Sequence, residues 1–122
     1  IVYGDDGLDE ISISSTTSVC EINGDKIKEY TIDPEELGLT LAKKEDIVGG
    51  TADENAIITK DILTGKEQGA KRDIVLLNAG AALYTIGKAE TIKDGVKLAA
   101  EMIDSGKANE KLEQFIAYTN VK

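Results

Sequence analysis

Four carboxylates crowd into six consecutive positions near the start of the chain, in Gly4-Asp5-Asp6-Gly7-Leu8-Asp9-Glu10. Like charges that close repel one another, and a divalent cation relieves the repulsion. Hard carboxylate oxygens suit Mg²⁺, which keeps several waters and takes one or two protein carboxylates beside substrate phosphates. The adjacent pair Asp9 and Glu10 meets that demand. The run lacks the longer, defined spacing of an EF-hand Ca²⁺ loop. On residue types alone, a solvated acidic loop is the simpler reading, with the metal site standing beside it.

The other chemistry-bearing residues are fewer. There is no His, and Cys20 is the single Cys. These residues therefore offer no histidine general base, no Ser-His-Asp triad, no His-ligated metal, no internal disulfide and no cysteine-built zinc site. Cys20 falls in a strand pattern and reads as a small, inert hydrophobe. Gly49-Gly50-Thr51 precedes a helix, where an anion can bind in principle, but a plain loop is the better reading. The hydroxyls from Ser14 to Ser18 read as strand hydroxyls before they read as a phosphate patch. Asn78 lies in an apolar run and must find hydrogen-bond partners if buried. Lys71 and Arg72 read as surface charges rather than substrate clamps.

The elements that must position these residues divide the chain into a β-rich first third and a helical remainder. Ile11 and Ile13 alternate with Ser12 and Ser14, the period of a half-buried strand. Ser18 to Ile22 and Lys26 to Ile32 flank Asn23-Gly24-Asp25, a short hairpin signal in which Asn and Gly both tolerate positive φ. Tyr30, Ile32 and Lys28 share one face of the returning strand. Asp33-Pro34-Glu35-Glu36 has the form of a helix start, which predicts a brief helix near Glu35 to Leu37.

From residue 51 the period turns helical. Thr51 with Glu54 forms a capping box, Ile58 and Ile62 lie on one face, and Gly65 is placed to end the helix. Asp73 to Gly87 is an apolar run whose length and alanines favour a helix, although Gly80 weakens that reading by about 1 kcal/mol. Thr91 caps a helix with a buried stripe of Ile92, Val96, Ala100 and Ile103, stopped by Gly106. Ala108 to Tyr118 forms the last helix, with Leu112, Phe115 and Ile116 expected to face inward.

Val2-Tyr3-Gly4 followed by Gly7-Leu8-Asp9-Glu10 resembles the Val-His-Gly…Gly-Leu-Asp-Glu pattern of the anthranilate phosphoribosyltransferases. The likeness continues through Ser14, Thr17-Ser18-Val19, Gly49-Gly50, Glu54-Asn55-Ala56 and Leu63-Thr64-Gly65. It closes with Leu76-Leu77-Asn78-Ala79, Ala82-Leu83-Tyr84 and Gly87, so it spans nearly the whole chain. The resemblance implies that Asp9 and Glu10 bind the Mg²⁺ that accompanies phosphoribosyl pyrophosphate. It assigns no role to Asp5 or Asp6. The implied reaction is transfer of the phosphoribosyl group to the amine of anthranilate, in tryptophan biosynthesis. Two departures stand out: Tyr3 occupies a position where many relatives carry His, and the family's Gly-Thr-Gly-Gly-Asp pyrophosphate loop is absent from these residues. The chain accordingly reads as the carboxy-terminal part of such an enzyme, inactive alone, with the helical domain through which the family forms homodimers also missing. Its opening on Ile1-Val2-Tyr3 agrees with a cut through a longer protein. The implied fold is α/β: a mixed sheet with a β-hairpin covered by helices, one domain over 1–122, belonging to the larger domain of the nucleoside phosphorylase and phosphoribosyltransferase type. A pyrimidine nucleoside phosphorylase and a non-catalytic acidic domain remain as alternatives.

Composition sets the outer bounds. Hydrophobic residues make up 41% of the chain and aromatics only 4%, so the core must come from Ile, Leu, Val and Ala. A formal net charge of −9 disfavours nucleic acid and anionic membranes as partners. No apolar run approaches the length of a membrane span, and no signal peptide is evident, which makes the cytoplasm the expected compartment.

Overall fold

The computed structural model describes residues 1–120. Three strands, β1 (Val2–Gly4), β2 (Thr17–Asn23) and β3 (Lys26–Ile32), form one antiparallel sheet in the order β1-β2-β3. Four helices follow: α1 (Ala52–Leu63), α2 (Ala70–Thr85), α3 (Ile92–Asp104) and α4 (Lys107–Thr119). The α/β class and the hairpin stand as expected. The three described strands pair antiparallel throughout, so the parallel pairing of a mixed sheet is not found among the described residues.

The hairpin turns one residue later than the sequence suggests. Asn23 pairs with Lys26 as the last rung of the ladder, leaving Gly24 and Asp25 as the loop. Gly24 has φ +60, and among the described residues only glycines have positive φ, the pattern of a II′ turn with glycine first. Along β2 the buried Thr17 and Val19 alternate with the exposed Ser18, and register sets them opposite Ile32 and Tyr30 on β3.

No strand forms at Ile11 to Ser14, contrary to the alternation. Ile11, Ser12 and Ile13 are all buried, so the segment is covered on both sides rather than half-exposed. Side chains and loops, not a neighbouring strand, satisfy its backbone: Ser12 N–H donates to Thr17 Oγ1 at 2.9 Å, and the Ile13 carbonyl accepts from Ala42 N–H at 2.9 Å. Near Glu35 the expected brief helix is a series of turns, closed by Leu37 and Leu39 N–H groups donating to the Pro34 carbonyl.

The helices follow their caps. Thr51 and Glu54 exchange the two bonds of a capping box, and α1 ends in a Schellman arrangement: Gly65, at φ +76, donates to the Ile62 carbonyl and Lys66 to that of Asp61. Thr91 caps α3 through Asp94 N–H at 3.1 Å. α2 begins at Ala70, earlier than the sequence suggests, and crosses α3 backbone to backbone. A Cβ on Gly80 would lie 2.5 Å from Val96 N. The core joins Ile11, Ile13, Val19 and Ile32 from the sheet side to Leu76 and Leu77 of α2 and Val96, Ala99 and Ile103 of α3.

Two expectations fail here. Arg72 is buried, not a surface charge; its Nη1 and Nη2 donate to Asp104 Oδ1 at 3.1 and 3.0 Å, tying α2 to the end of α3. Phe115 and Ile116 face outward on α4, with Phe115 64% exposed.

Candidate metal centre

The four carboxylates do not crowd together. The loop from Asp5 to Thr16 turns Asp5 and Asp6 toward hydroxyls and leaves Asp9 and Glu10 outside that network. Asp6 Oδ2 accepts from Ser12 Oγ at 2.9 Å and from Ser14 Oγ at 2.5 Å, while its Oδ1 accepts from Leu8 N–H at 3.3 Å. Asp5 accepts from Thr16 Oγ1 at 2.5 Å and from Ser18 Oγ at 2.8 Å. The Ser14 and Ser12 hydroxyls hold the Asp6 carboxyl below the usual carboxylate range, against partial burial that pushes it up. The Thr16 and Ser18 hydroxyls do the same for Asp5. Lys44 Nζ donates to the Asp6 carbonyl from across the loop.

Sequence reasoning missed these anchors. The signal was present in Ser12, Ser14, Thr16 and Ser18, hydroxyls at every second position after a pair of aspartates, although a strand was read where a loop stands. Ser18 lies on β2, as expected, while Ser12, Ser14 and Thr16 stand in the loop before it; together they are the donors that satisfy Asp5 and Asp6 locally.

Asp9 and Glu10 are both exposed. Two adjacent, solvent-facing carboxylates fit the one or two hard-oxygen ligands that Mg²⁺ takes from a protein. No group of three metal-ligating side chains forms among the described residues.

The alternative anion site at Gly49-Gly50-Thr51 is filled from within. Gly50 N–H donates to Asn55 Oδ1 at 2.8 Å and Thr51 N–H to Glu54 Oε2 at 2.7 Å. The Glu54 carboxylate, held below its ordinary range mainly by the Thr51 N–H, occupies the place an anion would take. Elsewhere, Glu21 bridges the sheet to α2, accepting from Tyr84 Oη at 2.9 Å and Tyr30 Oη at 3.1 Å. Burial, then this bond to a carboxylate, pushes the Tyr30 phenol up to about 12.

Residues 1–109 match the family described as the glycosyl transferase family, a/b domain. The anthranilate phosphoribosyltransferase of Methanobrevibacter smithii is 57% identical over 119 residues, covering 98% of this chain and 35% of that protein. The crystal structure of anthranilate phosphoribosyltransferase from Thermus thermophilus superposes with a TM-score of 0.89 at 38% identity, over 98% of this chain and 35% of that one. The Saccharomyces cerevisiae enzyme in complex with PRPP and Mg gives 0.87 at 31% identity, over 96% and 34%. The chain thus spans about a third of the length of the relatives it matches. The chain belongs to the family described as the glycosyl transferase family, a/b domain.

Proposed function

We propose that this chain serves phosphoribosyl transfer from phosphoribosyl pyrophosphate to anthranilate in tryptophan biosynthesis, and that Asp9 and Glu10 hold the Mg²⁺ the reaction uses. The observation that carries the reading is the freedom of these two carboxylates on a loop whose other two acids are already engaged. In the transfer, the bond from the ribosyl carbon to pyrophosphate breaks with its electron pair on the leaving oxygen. A bond to the anthranilate nitrogen forms, and that nitrogen gives up a proton. When bound, Mg²⁺ offsets the negative charge gathering on the departing pyrophosphate.

The chain's own contribution is placement. Asp9 and Glu10 supply fixed negative charge at a loop edge, and the hydroxyl network below keeps Asp5 and Asp6 from competing for the cation. No nucleophile from the protein is needed, which agrees with a chain lacking His and carrying only a half-buried Cys20. The same reading makes the chain a carboxy-terminal part of the larger domain of a longer enzyme, one that works as a homodimer in the cytoplasm. It is supported by the likeness over 98% of the chain; among the described residues no helix is long and apolar enough to cross a membrane.

Titration with Mg²⁺ and phosphoribosyl pyrophosphate, followed through the backbone amide resonances, tests the assignment. The expected response is weak and centred on residues 8 to 11, and an Asp9→Asn, Glu10→Gln double variant should lose it. An undiminished response in that variant would remove the pair from the site.

A further inference from the structure

Asn78 lies on α2, far along the chain from the acidic loop, yet its side chain grips that loop's backbone. Asn78 Oδ1 accepts from Ile11 N–H at 3.0 Å, and Nδ2 donates to the Ile11 carbonyl at 2.9 Å. The second Nδ2 hydrogen goes to the Ile74 carbonyl, one turn back on α2, at 3.0 Å. The amide therefore uses both hydrogens and its oxygen, and the Ile74 bond fixes which way it faces. In effect it stands in for a strand neighbour, pairing both backbone groups of a residue that has no ladder partner.

Ile11 follows Glu10 directly and is only 2% exposed. The other flank is fixed as well, since Gly4 N–H donates to the Leu8 carbonyl at 2.9 Å and Leu8 N–H reaches Asp6. Two anchored residues thus bracket a span holding only Asp9 and Glu10. With both ends held, the backbone that carries the two carboxylates is held in place.

We propose that Asn78 is a positioning residue for the cation pair: by clamping Ile11 to α2 it sets how Asp9 and Glu10 face a bound divalent ion. The inference rests on the metal reading above and extends it to a residue on a different element. A purely structural Asn78 and a positioning Asn78 differ in one respect. Losing either lowers stability, but only a positioning residue changes the loop's affinity in protein that remains folded.

Mn²⁺ serves as probe, a hard-oxygen dication whose binding is read from paramagnetic relaxation. Asn78→Leu removes the clamp at similar volume. Its Ile11 amide should lose exchange protection, and Mn²⁺ affinity should fall roughly tenfold, the lower end of what removing a ligand-orienting partner costs. Ile103→Ala, which damages the core from the end of α3 and away from the Ile11 segment, should keep the parent affinity well below its melting temperature. Should Asn78→Leu fail to fold, Asn78→Ser loses the same clamp and is read the same way. Parent affinity in the Asn78 variant, or an equal loss in Ile103→Ala, would overturn the inference and leave the metal reading intact. Parent affinity in the Asp9→Asn, Glu10→Gln variant would sink both.

Discussion

Asp6 shows how a carboxylate that looks like a ligand becomes a fastener. Hydroxyls from Ser14 and Ser12 and the Leu8 N–H favour its ionised form, so its folded-state affinity for protons lies below the ordinary value of 3.8. A lowered folded value means the unfolded chain binds the proton more readily. The stabilisation is then complete above 3.8 and is lost as pH falls from there through the depressed folded value. Asp6→Asn should therefore unfold at lower urea than the parent near neutral pH, with the gap closing in acid below 3.8. A gap that persists unchanged into strong acid would show that the charge is not the cause. At this scale the sequence was half legible. Residue types alone favour a solvated acidic loop, and only the resemblance singles out Asp9 and Glu10, which the structure leaves exposed. The role of Asp5 and Asp6 was hidden, because it depends on a loop that folds their hydroxyl partners back over them.

Periodicity and caps carried the elements well wherever one face of the element meets the core. Thr51, Gly65 and Thr91 mark helix ends where the structure has them, and of the stripe Ile92, Val96, Ala100 and Ile103 on α3 the second and last are buried and the other two half-buried. The failures came where that condition fails. Ile11 to Ser14 alternates like a strand, yet it is buried on both sides and has its backbone bonds made by Asn78, Thr17 and Ala42. Gly80 read as a flaw in α2, since glycine inside a helix costs about 1 kcal/mol against alanine. Its partner Gly95 explains it: a Cβ on Gly95 would collide with the Gly80 carbonyl, and one on Gly80 would meet Val96 N at 2.5 Å. Propensity and packing thus predict opposite signs for Gly95→Ala. Backbone atoms cannot yield as a flexible side chain does, so packing should win, with a loss of roughly 1–3 kcal/mol. Chemical denaturation measures it directly, and a gain in stability would mean that α2 and α3 part without cost.

For the whole molecule, the question is which apolar surfaces have partners. Periodicity says which side of α4 is apolar but not what covers it, and this is why Phe115 and Ile116 were misplaced. Among the described residues no helix or strand covers them; Phe115 is 64% and Tyr118 81% exposed. An apolar groove runs along Leu63, Val75, Leu83, Met102 and Ala108, between α2, α3 and the start of α4. The stability of the chain must therefore come from the core cluster, where Leu77 of α2 is fully buried together with Ile11, Ile13, Val19 and Ile32 and with Val96, Ala99 and Ile103 of α3. Leu77→Ala removes those contacts and leaves a cavity, which costs roughly 2–5 kcal/mol. Against a total of about 5–15 kcal/mol for a small domain, that is a large share. Phe115→Ala removes a ring that is mostly in water already, so its cost should stay under about 1 kcal/mol, as for surface substitutions generally. Thermal melts of the two variants at one concentration separate the cases. Equal melting temperatures, or a larger drop for Phe115→Ala, would place the core of this chain along α4 instead of between α2, α3 and the sheet.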